Sequence, residues 1–348
     1  MNRVKVGVIG CGHHGRVHLR NYVEIPESEL VAIAEVNPER AGEAAAEFGV
    51  PHHYTDFREM LERHTLDVVS VVTPPVAHRD AAVAAFGAGA NVLVDKPLAM
   101  NLSEAKDIVS AAKGAAKLLS MCLQFRWDPE VRAVRQFIAE GTLGQAYHTR
   151  ILSEGHIMNI PGYGVFHRRD QSGGGVLHST TVHLLDAILW ALGNPEPVRA
   201  SGSNYQKVSK MKTPLVTWTG GVEACDIEDF NLGLVRFADG STMTLESNWL
   251  THPGPAAPYA QILGDWGLAR LGPLCIELED GDKIVDVTPE IADTESHNGV
   301  QTTLQHFCQC VLEGRVPNVR FSEMLDVQRT MDAIYASAER GEEVPVRN

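Results

Sequence analysis

The chain has 348 residues, of which 44% are hydrophobic and 21% are charged, and its formal net charge is −14. This length fits one large or about two ordinary domains. The acidic balance argues against nucleic acid or an anionic membrane as a partner, and the lack of an apolar run of about 18 residues argues against a membrane span. The six cysteines are scattered without a C-x-x-C pair. We therefore predict a reduced cytoplasmic protein with no signal peptide and no bound metal.

The first third of the chain begins with a dinucleotide-binding pattern. The apolar segment "VKVGVIG" predicts a strand buried on both faces. Gly10, Gly12 and Gly15 follow in G-x-G-x-x-G spacing before a helix-like segment, and the next predicted strand, 29–36, carries Glu35. Such glycines allow a tight turn, close approach of a pyrophosphate and close helix packing. Glu35 can bond both ribose hydroxyls and would repel a 2′-phosphate, so we predict NAD as the cofactor, with NADP less favoured.

Alternating strands and helices continue through this part of the chain and predict a doubly wound parallel sheet. Further strands are predicted at 67–75, in "NVLVDKP" and in "KLLSMCLQFRW". Polar groups end these strands, namely Thr73, Lys96, and Gln124 with Arg126. Ligands of doubly wound sheets bind at the carboxyl ends of the strands, so we expect Lys96 near a nicotinamide, held by the rigid proline that follows it. The alternative is that the side chain of Lys96 merely extends into solvent and has no role in a site.

Residues 4–125 resemble the Gfo/Idh/MocA family, which includes glucose–fructose oxidoreductase and inositol dehydrogenase. The resemblance rests on "GVIGCGHHGRVH", "VTPPVAHRDAAVAAFGAGANVLVDKPLAMNLSEA" and "LQFRWDP". This chain has Asp95-Lys96-Pro97 where the family has Glu-Lys-Pro. The resemblance implies an α/β fold, with an NAD-binding Rossmann domain over 1–125. Over 126–348 it implies an α+β domain for substrate binding and oligomerisation, with a large, mostly antiparallel sheet.

The resemblance also implies which residues form the site. The expected cofactor contacts come from the glycine turn, the second strand and the strand ends, and are Gly10, Gly12, His13, His14, Gly15, Glu35, Thr73, Pro74, His78, Asp95, Lys96 and Gln124. The expected substrate contacts are Lys96, Arg126, His156, Tyr163, Arg168 and His183.

A helix predicted over 176–192 completes the expected catalytic set of Lys96, His183 and Ser179. Ser179 and His183 are four positions apart and so share a helical face, and histidine suits proton transfer near neutral pH. The family helix reads GGG–Asp–x–x–x–His–x–x–Asp, so His183 and Asp186 match it, whereas Ser179 takes the place of the catalytic aspartate. We expect Lys96 and His183 to meet beside the nicotinamide, with Ser179 orienting the histidine, unless loss of the aspartate alters or abolishes activity.

These features leave competing functions. The first is an NAD-dependent dehydrogenase that moves hydride between nicotinamide and a secondary alcohol carbon of a sugar, cyclitol or related polyol. The second is a non-catalytic NAD(H)-binding sensor or regulatory protein, which Ser179 supports. A third, an NADPH-dependent reductase, is opposed by Glu35. An Asp-Gly turn within 225–250 predicts a hairpin, which we expect to serve as scaffold in a C-terminal sheet that joins copies into a homo-oligomer.

Overall fold

The computed structural model describes residues 3–156, 165–210, 224–251, 259–291 and 298–347. Within those ranges, none of the helices has the length and apolar character that crossing a bilayer requires. The chain divides into two compact units. The first comprises Met1–Gln124 and Asn298–Leu325, and the second comprises Phe125–His297 and Asp326–Asn348.

The first unit contains a parallel six-stranded sheet with the order β3-β2-β1-β4-β5-β6. Its strands are β1 (Val4–Ile9), β2 (Ser28–Ala34), β3 (His52–Tyr54), β4 (Val68–Val71), β5 (Asn91–Val94) and β6 (Leu119–Met121). Every residue of β4 is buried, as expected for a strand covered on both faces. The predicted Rossmann sheet is thus confirmed, and its order reverses between β1 and β4, where such sheets bind ligands at the carboxyl ends of the strands.

Helices cover this sheet, including one from late in the chain. They are α1 (His13–Glu24), α2 (Pro38–Phe48), α3 (Phe57–Arg63), α4 (His78–Gly87), α5 (Leu102–Gly114) and α9 (Gly299–Glu313). Leu304 and Phe307 of α9 share a buried apolar cluster with Leu19 and Tyr22 of α1. The compact units therefore differ from a simple division after residue 125, because the apolar face of α9 completes the core of the first unit.

The second unit is built on a nine-stranded sheet with the order β14-β13-β12-β11-β7-β10-β9-β8-β15. Its strands are β7 (Ala146–His156), β8 (Pro197–Tyr205), β9 (Phe230–Phe237), β10 (Thr242–Thr251), β11 (Ala260–Gly264), β12 (Gly267–Leu271), β13 (Cys275–Asp280), β14 (Lys283–Asp286) and β15 (Val344–Pro345). Among the described strand pairs of this second sheet, only β7 and β10 pair in parallel, which confirms a mostly antiparallel sheet. The predicted hairpin is the β9–β10 pair.

The second unit also contains helices. They are α6 (Pro129–Ala139), the short α7 (Arg169–Ser172), α8 (Val182–Ala191) and α10 (Phe321–Arg340), which starts in the first unit. Of these, α6 and α8 contact the nine-stranded sheet at β12 and β7. Gly202 of β8 lets α10 approach closely, since a Cβ there would lie 2.4 Å from the carbonyl oxygen of Ile334. Val235 and Leu245 lie with Ile334 in the buried cluster that forms the core of this unit.

Candidate active site

The glycine turn after β1 has the geometry that a dinucleotide requires. Gly10 has φ +97°, and a Cβ added there would lie 2.6 Å from the carbonyl oxygen of Val72. A Cβ at Gly15 would lie 2.1 Å from the carbonyl oxygen of Gly10, so α1 can pack on the turn only without a side chain there. Gly12 caps α1, and its missing Cβ would point into open space. The exposed backbone at Gly12 and His13 can therefore receive a phosphate at the helix N-terminus.

Glu35, which follows β2, is held by backbone groups around this turn. Its Oε2 accepts a hydrogen bond of 2.9 Å from the N–H of Cys11, and its Oε1 accepts one of 3.1 Å from the N–H of Asn37. Arg40 Nε lies 3.8 Å from the same Oε1. A cavity of about 370 Å³ beside these groups is lined by Cys11, Gly12, His13, Arg16, Asn37, Glu39, Arg40 and Glu43. Its size and polar lining suit the adenosine half of NAD.

Thr73 and Pro74 lie at the carboxyl end of β4, on the edge of the sheet that carries the glycine turn. The Oγ1 of Thr73 is buried and has no hydrogen-bond partner among the described residues. Leaving a buried hydroxyl unpaired costs free energy, so a bound cofactor that supplies a partner would be stabilised here. The residues present thus fit a dinucleotide on two counts, the cradle of glycines and this hydroxyl.

His78, an expected cofactor contact, lies buried between two strand ends. It is 1% exposed, with Nδ1 2.9 Å from the carbonyl oxygen of Pro97 and Nε2 2.8 Å from that of Thr73. Both ring nitrogens are therefore engaged by the backbone. His78 thus ties the segment after β4 to the segment after β5, and its contact with the cofactor stays a prediction.

Asp95 and Lys96 follow the buried strand β5. Asp95 Oδ2 lies 3.2 Å from Nδ1 of His14. Burial acts to raise the pKa of Asp95, but the hydrogen bond and charge of His14, together with the charge of Lys96, hold that pKa far below its usual range. Lys96 is half-buried; burial lowers its pKa, and the negative charge of Asp95 opposes this shift. At the end of β5, an amine whose pKa is lowered by burial therefore lies next to a carboxylate that stays ionised.

Gln124 and Arg126 lie in one 3-10 turn, Gln124–Trp127, but their surroundings differ. Gln124 is half-buried after β6, at the carboxyl edge of the first sheet. Arg126 is 0% exposed and forms a bidentate ion pair with the equally buried Asp186, with N–O distances of 2.6 and 2.8 Å. The pair ties the 3-10 turn to the His183 helix within the second unit. A substrate contact of Arg126 stays a prediction.

The helix that carries His183 begins with an irregular turn. Residues Leu177–Thr181 are π-helical, and α8 follows, so the prediction of one continuous α-helix over 176–192 was wrong in its first turn. The buried carboxylate of Glu228 accepts hydrogen bonds from the N–H groups of Gly175 (2.7 Å) and Leu177 (3.2 Å) and from the hydroxyl of Tyr335 (2.7 Å). These contacts from distant segments fix the turn, and π-turns are frequent at functional sites.

Ser179 and His183 are both positioned by this helix. The hydroxyl of Ser179 donates a hydrogen bond of 2.9 Å to the carbonyl oxygen of Gly175. His183 is 8% exposed, and its ring lies 5.3 Å from the ring of Phe125, centroid to centroid. Ser179 therefore offers a neutral hydroxyl where the resemblance leads one to expect a carboxylate. Lys96 belongs to the first unit and His183 to the second, so their meeting at one carbon stays a prediction.

The other expected substrate contacts are less informative. His156 ends β7, but its side chain and all of Tyr163 lie outside the described residues. Arg168 precedes α7 on the exposed surface and donates hydrogen bonds of 3.1 and 2.7 Å to Asp170. Arg168 thus has a local partner that a substrate would have to displace.

Sequence reasoning missed two groups that shape these sites. Asn37 accepts a hydrogen bond from the N–H of Arg40 and caps α2 beside the cavity near Glu35; the Asn-Pro pair that begins this helix was an available signal. Glu228 and Tyr335 were also missed. They are 107 positions apart in the chain, and no local pattern signals that they meet at the start of the His183 helix.

Two family models match the chain in succession. The model described as "Oxidoreductase family, NAD-binding Rossmann fold" covers residues 4–122, and the "GFO/IDH/MocA C-terminal domain" covers residues 131–270. The chain belongs to the Gfo/Idh/MocA family. This Gfo/Idh/MocA protein therefore has an NAD-binding Rossmann domain, as its glycine turn indicates.

Known proteins of similar sequence include several sugar and inositol dehydrogenases. D-Glucoside 3-dehydrogenase of Escherichia coli (strain K12) is 27% identical over an alignment of 348 positions, which covers 98% of this chain and 97% of the relative. scyllo-Inositol 2-dehydrogenase (NAD(+)) of Bacillus subtilis (strain 168) is 25% identical over 323 residues, covering 91% and 89% of the two chains. A solved structure of levoglucosan dehydrogenase in complex with NADH and L-sorbose superimposes with a TM-score of 0.85 at 22% identity, covering all of both chains. The superposition shows a shared fold. Sequence identities this low do not identify the substrate.

Proposed function

We propose that this protein is an NAD(H)-dependent dehydrogenase. It would transfer hydride between nicotinamide and a secondary alcohol or ketone carbon of a sugar, cyclitol or related polyol. The observation that carries the proposal is the position of Lys96: a half-buried amine beside an ionised carboxylate, at the carboxyl edge of the sheet that carries the glycine turn. The relatives named above act on glucosides and inositols, which supports the substrate class.

The protein would supply position and proton handling for this reaction. When bound, the nicotinamide supplies the hydride chemistry. Lys96 would bond the reacting oxygen and favour its alkoxide-like form, because burial lowers the pKa of the amine and makes it competent in acid–base chemistry. His183 would accept or relay the proton. Ser179, whose hydroxyl is anchored to the carbonyl of Gly175, would help to orient His183 rather than carry charge.

NAD is the proposed cofactor because of the charge of Glu35. The carboxylate lies 7% exposed and is fixed by two backbone N–H groups at the cavity of about 370 Å³. From there it can accept hydrogen bonds from ribose hydroxyls and repel a 2′-phosphate. Arg40 is the group that would favour NADP, but it is already drawn towards Glu35 at 3.8 Å.

A sensor without catalytic activity is the second candidate function, and Ser179 is the observation that favours it. A serine cannot relay a proton as a carboxylate can, so the site could bind NAD(H) and a polyol without turnover. Such a protein would respond to the redox state of the nucleotide through binding alone.

A screen of inositols, aldoses, anhydrosugars and glycosides with NAD+, followed by NADH absorbance, separates these functions. Turnover of at least one polyol that is lost in Lys96→Ala supports the dehydrogenase. Tight NADH binding without turnover of any of these compounds would favour the sensor.

We also propose that the protein forms a homo-oligomer through the outer face of its nine-stranded sheet. Tyr205 and Leu232 on neighbouring strands of that sheet are 47% and 46% exposed, and Phe230 stacks edge-on against Tyr205. A second copy would bury these apolar side chains. Light scattering would show an oligomer in the wild type and a smaller species in Leu232→Asp; a monomeric wild type would refute the proposal.

A further inference from the structure

Three side chains able to bind a metal ion lie together in the first unit. They are His18 of α1, Asp95 after β5 and Cys122 after β6, and one donor atom from each lies within 4.8 Å of the donor atoms of the other two. The three residues are 0%, 8% and 1% exposed, respectively. They thus bring nitrogen, oxygen and sulfur donors to one point at the carboxyl edge of the sheet.

His18 is prepared as a ligand. Its Nδ1 lies 2.9 Å from the hydroxyl of Ser70, while its buried Nε2 has no hydrogen-bond partner among the described residues. In the tautomer that donates from Nδ1 to the Ser70 hydroxyl, Nε2 carries the lone pair, and metal-binding histidines have this arrangement of one anchored and one free nitrogen. Burial lowers the pKa of His18 to about 4, so the ring is neutral near pH 7.

Asp95 and Cys122 complete a donor set of defined selectivity. Asp95 is held ionised by His14 and Lys96. Burial raises the pKa of the Cys122 thiol, so a metal would have to displace its proton, as metals do when they bind thiols. Imidazole with thiolate favours Zn²⁺ or Co²⁺ over Mg²⁺ or Ca²⁺. Donors of a tetrahedral zinc site are separated by about 3.3 to 3.8 Å, so small side-chain rotations would close the site.

We propose that His18, Asp95 and Cys122 form an inhibitory site for a thiophilic divalent cation such as Zn²⁺, with water as the fourth ligand. The cation would take the carboxylate that pairs with His14 and would place a positive charge beside Lys96. It would thereby disturb the carboxyl edge of the sheet, where the cofactor is proposed to bind. The binding site itself is independent of the dehydrogenase activity, whereas the inhibition rests on that proposed function.

Binding is tested on the full chain, freed of metal by a chelator and without nucleotide. Titration with Co²⁺ should give a thiolate-to-cobalt charge-transfer band that saturates at one equivalent per chain. Cys122→Ala and His18→Gln should abolish the band, and Cys308→Ala, which removes an equally buried thiol of the same unit, should retain it. Cys122→Ala keeps the test decisive if His18→Gln does not fold.

A second variant tests the anchoring of the histidine. Ser70→Ala should weaken Zn²⁺ binding by about 10- to 100-fold, the usual effect of losing a partner of a metal-binding histidine. Calorimetry in buffers of different ionisation enthalpy should show release of the Cys122 proton on binding. A cobalt band that persists in Cys122→Ala, or no band in the wild type, would overturn the site.

The inhibitory role has its own readout. If a polyol substrate is found, Zn²⁺ should inhibit the wild type and Cys308→Ala, whereas Cys122→Ala should keep basal turnover and resist inhibition. Equal inhibition of Cys122→Ala would refute the inhibitory role. If no polyol is turned over, the cobalt titration still decides whether the cation site exists, so failure of the dehydrogenase proposal and failure of the site are distinguishable.

Discussion

The guanidinium of Arg126 donates hydrogen bonds of 2.8 and 2.6 Å to the two carboxylate oxygens of Asp186, and solvent reaches neither side chain. This ion pair joins the 3-10 turn Gln124–Trp127 to α8, the helix that carries His183. Arg126→Met should lower the free energy of unfolding by about 3–5 kcal/mol, because it removes the positive charge that compensates the buried carboxylate of Asp186. Urea denaturation followed by tryptophan fluorescence measures the change.

Two controls separate this pair from ordinary arginine contacts. Exposed Arg132, which stacks on Trp127, should tolerate replacement by methionine with little loss. The double variant Arg126→Met, Asp186→Leu should recover much of the stability, since two apolar side chains need no compensation. A loss of under about 1 kcal/mol in Arg126→Met, the scale of a surface pair, would contradict this account.

The proposed catalytic role of Lys96 predicts a separation of rate from cofactor binding. Lys96→Ala should reduce kcat by about 10²-fold or more, the scale of general acid–base help, and leave NADH affinity within a few-fold of the wild type. Steady-state kinetics with a polyol found in the screen and fluorescence titration with NADH measure the two quantities. Lys106→Ala, at an exposed position of α5, is the matched control and should retain activity. Wild-type turnover in Lys96→Ala would end the assignment.

The sequence predicted the first unit well because its signals are local. Buried parallel strands are continuous apolar runs, and the φ of +97° at Gly10 leaves little choice but glycine. Strand ends such as Thr73 and Lys96 could be placed on one edge of the sheet because parallel strands share their direction. The family motifs then supplied the second sheet, whose strand order no local pattern indicates.

Long-range pairing accounts for what the sequence did not show. The ring of His78 meets the carbonyl oxygen of Pro97, 19 positions away. Arg126 pairs with Asp186, 60 positions away. The π-helical turn before α8 depends on Glu228, 53 positions from Gly175. Each partner is fixed only when the chain is folded, so residue type alone suggested a free side chain.

Glu35 predicts which cofactor the protein prefers. Glu35→Gln removes the charge that would repel a 2′-phosphate but keeps one of the two oxygens that accept hydrogen bonds from Cys11 and Asn37. The ratio of NADPH to NADH affinity should rise by at least about tenfold, equivalent to about 1.4 kcal/mol, because Arg40 then lines the cavity without the carboxylate of Glu35 beside it. Glu39→Gln, at the same cavity, should leave the ratio nearly unchanged. If NADPH is still rejected in Glu35→Gln, charge repulsion is not the basis of selectivity.

His178 predicts how acid affects the second unit. It is 1% exposed beside the ring of Tyr335, and burial lowers its pKa from 6.5 to about 4. Between these values the unfolded chain binds a proton that the folded chain does not, so stability falls as pH decreases through this window. The histidine should account for about 2 kcal/mol of lost stability between pH 7 and pH 5. The difference in unfolding free energy between wild type and His178→Asn should therefore shrink by that amount at pH 5. His53→Asn, at an exposed position, is the control, and its difference in unfolding free energy from the wild type should be the same at both pH values. If the difference for His178→Asn also did not depend on pH, the ring of His178 would be protonated equally in the folded and unfolded chains.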